Sequence, residues 1–500
     1  MDFLFQNKTF TIASVILLVY ATISTIFLES FYISYDIWDH VAQITAFKDN
    51  IFSPVDPYLR GGNFSHLLTP YHQILGSISK LLGLTPYTIF SIAGIFNLAF
   101  FIFSVRDVSQ YVFGDIKYSL IILIVLLGFW YYPPVSSGVY DFSLIPLTLG
   151  YPYRAVLPVL LIVFAKINCN LNVKSYVLYT ILCTFIITTH PLSGAFLMLL
   201  IGSKALMFEG WNNKKIKLLL LPVISLLLAF LWPYYPIFKL INSATELNVF
   251  NLPDAYQIYY KTFYTVTILL IPSLIVVIDK IKSRDYDYRI ALITLLAPIL
   301  LLNYIFFHNE PIARFVILLT FVLHLLTIEW LITKWLPKGS KQQLSFVVFS
   351  CVLFILQLQF SFTTFSIFPD IQRNKPLGHH SNFRYYNEYL KLDDWIKDGG
   401  IILAPIEVSL MISRITHQNV VAYYRKNLAI KGTNEKSADV INYFSTSSVH
   451  NKNSIIAKYH VKYLVSKEND SALKKQGLNL KYLGSIDDYP VYRIDGLNEQ

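Results

Sequence analysis

Long apolar runs recur along this 500-residue chain and constrain its fold more than any other feature. A run of about 20 apolar residues is long enough to cross roughly 30 Å of hydrocarbon as an α-helix. Only 14% of the residues are charged, against about 25% in an average soluble protein. The chain is therefore predicted to be an α-helical polytopic membrane protein. About eleven transmembrane helices are expected, near residues 9–28, 86–105, 118–133, 152–166, 175–190, 192–208, 217–238, 263–279, 289–307, 311–333 and 345–367.

The distribution of positive charge predicts the orientation of these helices. With a cytoplasmic N-terminus, the inner segments hold 16 Lys and Arg residues and the outer loops hold 7, as the positive-inside rule requires. The odd number of spans then places the C-terminal tail outside, at what we expect to be a prokaryotic plasma membrane. The net charge of +10 is explained by topology, so we expect no nucleic-acid partner. The first run has no small-residue cleavage site after it and is predicted to be retained.

The first outer loop, residues 29–85, carries the most distinctive polar cluster. If the chain after Asp36 is helical, then Asp36, Asp39 and His40 lie on one face. Ionisable groups beside a membrane are costly unless they are solvated or functional. The alternative is that Asp36 only caps the helix, with Asp39 as its partner at the third helical position. Two loop helices are predicted, from Asp36 to about residue 50 and from His66 to about Leu82, either in the interface plane or packed on the spans.

Further candidate residues are predicted on the same outer side. Asp141 is the only acid of the second outer loop. Arg154 lies just inside the next span, where it suits either a lipid phosphate or snorkelling to headgroups. His190 lies at a proline-induced bend and is either a helix cap or a functional group.

The junction of the ninth and tenth predicted spans holds three more candidates, His308, Glu310 and Arg314. Arg314 falls a short way into the tenth span, so it requires an anionic partner. That partner is either a substrate phosphate or the carboxylate of Glu310 at i−4.

Charge rises and the long apolar runs end after about residue 370. Strand patterns near 401–404, 420–423, 461–465, 480–485 and 491–494 alternate with helical patterns near 392–397, 407–416 and 438–444. We therefore expect two domains, a membrane domain at 1–370 and a small soluble extracytoplasmic α/β domain at 371–500. The tail has no glycine-rich nucleotide motif and no nucleophile elbow. We assign it a capping or acceptor-binding role, or otherwise a purely stabilising one.

Together these features resemble the GT-C superfamily of integral membrane glycosyltransferases, which use polyprenyl-phosphate sugars. The resemblance covers the architecture of the whole chain. As sequence it depends on the Asp36-Ile37-Trp38-Asp39-His40 segment, with weaker similarity at Thr189-His190-Pro191 and Arg314. The adjacent Asp-Glu pair of protein mannosyltransferases and the Trp-Trp-Asp motif of oligosaccharyltransferases are absent from the sequence.

The resemblance implies a mechanism and partners. A first-loop carboxylate, for which we choose Asp36 over Asp39, acts as general base toward a lipid, glycan or protein acceptor. Asp39 or His40 orients the acceptor, or Asp36, Asp39 and His40 hold a divalent cation such as Mg or Mn. Arg154 and Arg314 stabilise the leaving phosphate. Hexosyl or pentosyl transfer with inversion is expected. His190, His308, Glu310 and Asp141 complete the expected substrate-binding set.

Two other functions are compatible with a polytopic chain. A lipid or solute transporter or flippase would carry ionisable residues near mid-span and repeated halves, and the sequence shows no clear internal repeat. A non-catalytic membrane assembly protein would tolerate substitution of every acid in the first loop.

Overall fold

A computed structural model describes residues 3–28, 35–55, 68–130, 141–167, 171–208, 210–234, 255–364, 382–422, 433–468, 473, 477–486 and 488–497. Up to residue 364 the described chain is helical. The first ten α-helices are α1 Asn7–Leu28, α2 Tyr35–Asp49, α3 Pro70–Leu82, α4 Pro86–Val112, α5 Ser119–Gly128, α6 Ile145–Thr148, α7 Pro152–Lys166, α8 Val173–Thr189, α9 Pro191–Leu206 and α10 Asn213–Ala229. The next six are α11 Ala255–Thr267, α12 Ile271–Ser283, α13 Tyr288–Leu302, α14 Glu310–Ala313, α15 Val316–Trp330 and α16 Ser340–Thr364.

Each predicted span overlaps one or more of these helices. Among the described residues, six helical stretches are long and apolar enough to cross a membrane: Asn7–Thr25, Pro86–Val112, Tyr256–Ser283, Tyr288–Phe307, Glu310–Lys338 and Ser340–Gln359. Shorter apolar helices cover Ile116–Gly128, Val173–Thr189 and Pro191–Leu206. The chain is an integral membrane protein by these helices, while the expected count of about eleven spans is not confirmed.

The two helices of the first outer loop are present. α2 begins at Tyr35, close to the prediction. α3 begins at Pro70 and not near His66, which lies outside the described residues. Thr69 explains this start, because its hydroxyl accepts the backbone N–H of His72 and Pro70 occupies the first helical turn. α3 ends at Gly83, which adopts the left-handed conformation with φ 66°.

Helices α2 and α3 cross closely at Gly76. A Cβ atom at this position would lie 2.6 Å from the Cβ of Phe47 and 2.9 Å from the carbonyl oxygen of Ile44. Only glycine therefore permits this approach. Lys48 adds a bond across the pair, with Nζ 3.0 Å from the carbonyl oxygen of Leu84. The two helices form one packed unit.

The two loop helices differ in exposure. The residues Trp38, Val41, Ile44 and Phe47 of α2 are fully buried, so this helix is packed against its neighbours. In contrast, α3 exposes three large apolar side chains, Ile74, Leu81 and Leu82, as expected of a helix beside the membrane interface.

The tail forms the expected α/β unit. It contains α17 Asn382–Trp395, β1 Ile401–Leu403, α18 Ile406–Ile415, β2 Asn419–Val420, α19 Thr433–Ser445, α20 Val449–Lys458, β3 Val461–Val465, β4 Leu478–Ile486 and β5 Tyr489–Leu497. The sheet order is β2-β1-β3-β5-β4. β1 is parallel to β2 and β3, and β5 is antiparallel to β3 and β4. Helix α20 was not predicted. The boundary predicted near residue 370 lies outside the described residues.

The tail packs on the first outer loop through aromatic side chains. Trp38 of α2 stacks on Tyr386 of α17 with ring centroids 5.7 Å apart, and on Tyr87 of α4 at 5.5 Å. Buried residues of α18, including Val408 and Ile412, belong to the same hydrophobic cluster. Helix α2 is therefore held between the helical bundle and the tail.

Candidate functional site

Asp39 on α2 forms a buried ion pair with the tail. The Nε of Arg414, on α18, lies 2.6 Å from Oδ1 of Asp39, and each side chain is 2% exposed. A carboxylate in such surroundings needs a compensating charge, because burial without one is costly. The sequence did not predict this partner. The sequence feature that could have indicated a buried partner is Arg414 itself, which interrupts an otherwise apolar face of α18 formed by Val408, Met411 and Ile415.

His40, one residue further along α2, joins a hydrogen-bonded chain. Its Nδ1 lies 3.1 Å from Nε2 of His72, and Nδ1 of His72 lies 3.0 Å from Oγ1 of Thr69. Burial lowers the pKa of His40 to about 3, with smaller contributions from the positive charges of His190 and Arg414. His40 is therefore neutral at physiological pH. His72 was missed in the sequence because it lies beside the apolar stripe of α3.

Aromatic rings connect His40 to His190. Tyr151 meets His40 edge-on at 4.8 Å between centroids, Tyr153 lies 6.0 Å from Tyr151, and His190 lies 6.0 Å from Tyr153. We call these two tyrosines the aromatic wall. Tyr71 fixes the start of the wall, since its hydroxyl donates to the carbonyl oxygen of Gly150 at 2.9 Å.

His190 caps helix α9, which is the simpler of its two predicted roles. Its Nδ1 lies 2.7 Å from Oγ of Ser193 and accepts the Ser193 backbone N–H. Burial lowers the pKa of His190 to about 4, and the positive charge of Arg314 lowers it further in the same direction. His190 is therefore neutral at physiological pH, as His40 is.

Arg314 pairs with Glu310, as the structural alternative predicted. Nη2 of Arg314 lies 2.6 Å from Oε1 of Glu310, and Nε lies 3.2 Å from the same oxygen. The arginine side chain remains 38% exposed. His308 is exposed and stacks on Tyr256 at 4.8 Å.

Arg154 is fully buried, so the snorkelling alternative is wrong. Its Nε and Nη2 donate to Oγ1 of Thr148 at 3.0 and 2.8 Å, and its guanidinium lies 5.1 Å from the ring of Tyr153. Arg154 therefore contacts the aromatic wall at Tyr153.

Asp141 has a local structural role. Its Oδ1 accepts the backbone N–H groups of Ser143 and Leu144 at 2.7 and 3.2 Å. Burial raises its pKa to about 6, although the Ser143 hydrogen bonds and the charge of Arg154 oppose this shift. Asp141 thus holds the turn that leads into α6.

The fit of a divalent cation was tested on these side chains. Within the described part of the chain, no group of three His, Cys, Asp or Glu side chains is placed to hold a metal ion. The backbone of Asp36 lies in α2, but its side chain is outside the described set. Asp39 is already neutralised by Arg414, whose positive charge would repel a cation. The described residues do not fit a bound Mg or Mn ion.

A cavity of about 450 Å³ opens between α2 and the tail, lined in part by Thr45, Asp49, Arg414 and His417. His417 bridges its two sides, with Nε2 2.8 Å from Asp49 and Nδ1 3.0 Å from Asp393. These hydrogen bonds raise the pKa of His417 to about 10. The protonated imidazole therefore joins the tail to the end of α2.

Among the comparisons with known proteins, only those with solved structures find similar chains. No family model matches the chain, and no curated protein matches it. Among solved structures the chain is similar to the apo oligosaccharyltransferase of Archaeoglobus fulgidus, with 11% sequence identity and a TM-score of 0.49. The alignment covers 91% of this chain and 69% of that chain. The same enzyme tethered to an acceptor peptide containing the NVT sequon through a disulfide bond gives 12% identity, coverages of 98% and 74%, and a TM-score of 0.47.

Proposed function

We propose that this protein is a GT-C-type membrane glycosyltransferase that moves a sugar from a polyprenyl-phosphate carrier to an acceptor at the extracytoplasmic face. The observation that carries the proposal is the meeting of polar groups beside the helical bundle. Asp39 of α2 is paired with Arg414, His40 is hydrogen-bonded to His72, and the aromatic wall leads from His40 to His190. We add Arg314 to this set as the proposed cation for the leaving phosphate. We propose that these groups surround a substrate-binding space, which we call the chamber.

The chemistry of the proposed reaction suits these groups. A sugar attached to a phosphate has a good leaving group, so the protein must mainly supply a base and hold the departing anion. A positioned base typically contributes a factor of about 10² to 10⁴. We assign this role to Asp36, which precedes His40 by one turn of α2. Because the acceptor then attacks the sugar carbon directly, the configuration at that carbon is inverted.

Arg314 is assigned to the leaving phosphate. Glu310 binds Nε and Nη2 of Arg314, which fixes the guanidinium plane and orients its other edge. A planar guanidinium matches phosphate geometry well. Arg154, behind Tyr153, is assigned to holding the aromatic wall and adding positive potential. His308 and Glu310 are assigned supporting roles in substrate binding, and the buried Asp141 is assigned to holding the turn before α6.

The missing Trp-Trp-Asp and Asp-Glu motifs favour a lipid or polysaccharide acceptor over a protein one. The acceptor peptide is a feature of the Archaeoglobus fulgidus oligosaccharyltransferase structure. The proposed orientation, with a cytoplasmic N-terminus and an extracytoplasmic tail, follows from the positive-inside distribution. We propose a prokaryotic plasma membrane as the location.

The test is incubation of the purified protein in lipid nanodiscs with a panel of radiolabelled polyprenyl-phosphate hexoses and pentoses, with a lipid and glycan extract as acceptor. Transfer of label to an acceptor, or slow release of free sugar, supports the proposal. In sealed vesicles, movement of an intact labelled lipid across the bilayer without bond cleavage would instead indicate a flippase. Lack of both outcomes across the panel would indicate a non-catalytic assembly protein.

A further inference from the structure

We propose that the cavity between the end of α2 and α18 binds a neutral oligosaccharide, which is the acceptor of the proposed transfer. The inference rests on the proposed function and deepens it by naming the class of acceptor. It assigns a binding role to Thr45, Asn50, Ser53 and Thr416, none of which was a candidate in the sequence.

The cavity has the size of a ligand site and is open to solvent. Its volume of about 450 Å³ falls within the range of about 300–1,000 Å³ that is usual for ligand pockets. The buried lining residues Ala42, Ala46 and Thr416 form its floor. The exposed lining residues Asn50 and Ser53 form its mouth. A ligand can therefore enter from solvent and reach a floor of small side chains.

The charged side chains that line the cavity are already in ion pairs. Oδ2 of Asp49 lies 2.8 Å from Nε2 of His417, and Arg414 lies 2.6 Å from Asp39. Nδ1 of His417 also lies 3.0 Å from Asp393. A phosphate, carboxylate or ammonium group of a ligand would lose its hydration here and compete with existing pairs. A neutral ligand avoids this cost.

The uncharged part of the lining offers hydrogen bonds that suit hydroxyl groups. Oγ1 of Thr45 donates to the carbonyl oxygen of Val41 at 2.9 Å, so its lone pairs remain to accept. Oδ1 of Asn50 accepts the backbone N–H groups of Phe52 and Ser53, which leaves the amide N–H groups of Asn50 to donate. The hydroxyl of Ser53 can do both. Sugar hydroxyl groups also donate and accept, so this mixture fits a carbohydrate.

The mouth of the cavity is held in place by the helical part of the chain. Nε2 of Gln73, on α3, donates to the carbonyl oxygen of Ile51 at 3.0 Å, and the hydroxyl of Tyr234 donates to that of Phe52 at 2.6 Å. The protein therefore loses little conformational freedom on binding, which favours affinity. Phe52 itself is 82% exposed, so its ring is available beside the mouth for the apolar face of a sugar ring.

The lining face of α2 continues toward the first-loop carboxylates. Ala42, Thr45 and Asp49 are spaced by three and four residues and so share one face, and Asp39 lies three residues before Ala42. Ala42 is about 9 Å along the helix axis from Asp36. An acceptor in the cavity therefore needs further sugar units to present a hydroxyl group at Asp36. That oxygen then bonds to the donor sugar carbon as the bond from this carbon to the phosphate oxygen breaks, and Asp36 takes the hydroxyl proton.

The first test measures binding and requires no turnover. The full-length protein in lipid nanodiscs is titrated against fluorescently labelled neutral tetra- and pentasaccharides of glucose, mannose, galactose and N-acetylglucosamine, and anisotropy gives Kd. Thr45→Phe fills the cavity and Ser53→Trp blocks its mouth. Ser454→Trp is the control, because Ser454 is an exposed serine of α20 outside the lining. We expect Thr45→Phe and Ser53→Trp to raise Kd by at least about tenfold, the effect of losing one or two hydrogen bonds, and Ser454→Trp to leave Kd unchanged.

The second test measures transfer with the tightest-binding oligosaccharide as acceptor. We expect KM for this acceptor to rise by about tenfold in Thr45→Phe and Ser53→Trp while kcat changes little, because the lost contacts are made equally in the ground state and the transition state. A galacturonate oligosaccharide of the same length should bind more weakly than the neutral one, since the cations of the lining are already paired.

Failure of this inference can be distinguished from failure of the proposed function. Sugar transfer by the wild-type protein, together with an unchanged acceptor KM in folded Ser53→Trp, overturns the cavity as the acceptor site and leaves the function standing. Lack of binding across the neutral panel, or tighter binding of the galacturonate, also overturns the inference. If Thr45→Phe does not fold, Ser53→Trp decides, because Ser53 is exposed. Oligosaccharide binding that the two variants weaken, without transfer from any donor, overturns the proposed function and the acceptor role but supports the cavity as a carbohydrate site.

Discussion

Removing the guanidinium of Arg414 tests how the tail is coupled to the chamber. Arg414→Met keeps most of the side-chain volume and leaves the Asp39 carboxylate without its ion-pair partner. Because each side chain is 2% exposed, we use the loss measured for breaking buried pairs, about 3–5 kcal/mol. The exposed-pair figure of about 0.2–1 kcal/mol does not apply here. The same burial predicts that the loss changes little between low and high salt.

A double-mutant cycle measures this contribution. Thermal or denaturant unfolding is followed in wild type, Arg414→Met, Asp39→Asn and the double variant. Asp39→Asn in the Arg414→Met background should recover most of the lost stability, because no charge then remains buried. The reasoning is refuted if Arg414→Met is within about 1 kcal/mol of wild type, or if the double variant is as unstable as Arg414→Met.

Three further predictions concern neighbouring contacts. The pKa of His417 is raised above its ordinary value to about 10. Its contribution to tail docking is therefore complete below about pH 6.5 and is lost as pH rises toward 10. Protection of the tail from proteolysis should decrease over the same pH range, and His417→Gln should abolish this pH dependence. Gln43 is fully buried, and neither amide atom has a hydrogen-bond partner among the described residues. Gln43→Leu should therefore leave the unfolding midpoint unchanged or raise it. A marked decrease of the midpoint would contradict this prediction. Gly76→Ala should cost about 1–3 kcal/mol through overpacking against Phe47, whereas Gly202→Ala, which meets nothing within 4 Å, should be neutral or stabilising in the same unfolding assay.

The helices of the membrane part could be located from the sequence because hydrophobic runs are local signals. The start of α3 was placed too early because the apolar stripe extends before Pro70, while the Thr69 cap and the proline set the true start. Helix α20 was missed because it has few apolar residues, although Ser448 provides a recognisable N-cap. The number of helices that cross the bilayer depends on their tilt and packing, which composition alone does not determine.

The site was predictable in part. Asp39 and His40 lie on α2 as the spacing indicated, and the pairing of Arg314 with Glu310 follows from their i,i+4 separation. The partners Arg414 and His72 were not predicted, because contacts over 375 and 32 residues depend on tertiary packing. The burial of Arg154 was likewise invisible in the sequence, since its position at a span end was equally compatible with exposure.

The central claim is that a carboxylate on the polar face of α2 drives sugar transfer. The most direct measurement is single-turnover transfer of label from a defined polyprenyl-phosphate sugar by Asp36→Asn, compared with wild type and with Asp394→Asn, an exposed acid of the tail. The account predicts normal folding of both variants, a loss of at least about 10²-fold for Asp36→Asn, and no loss for Asp394→Asn. Near-normal transfer by Asp36→Asn would contradict it.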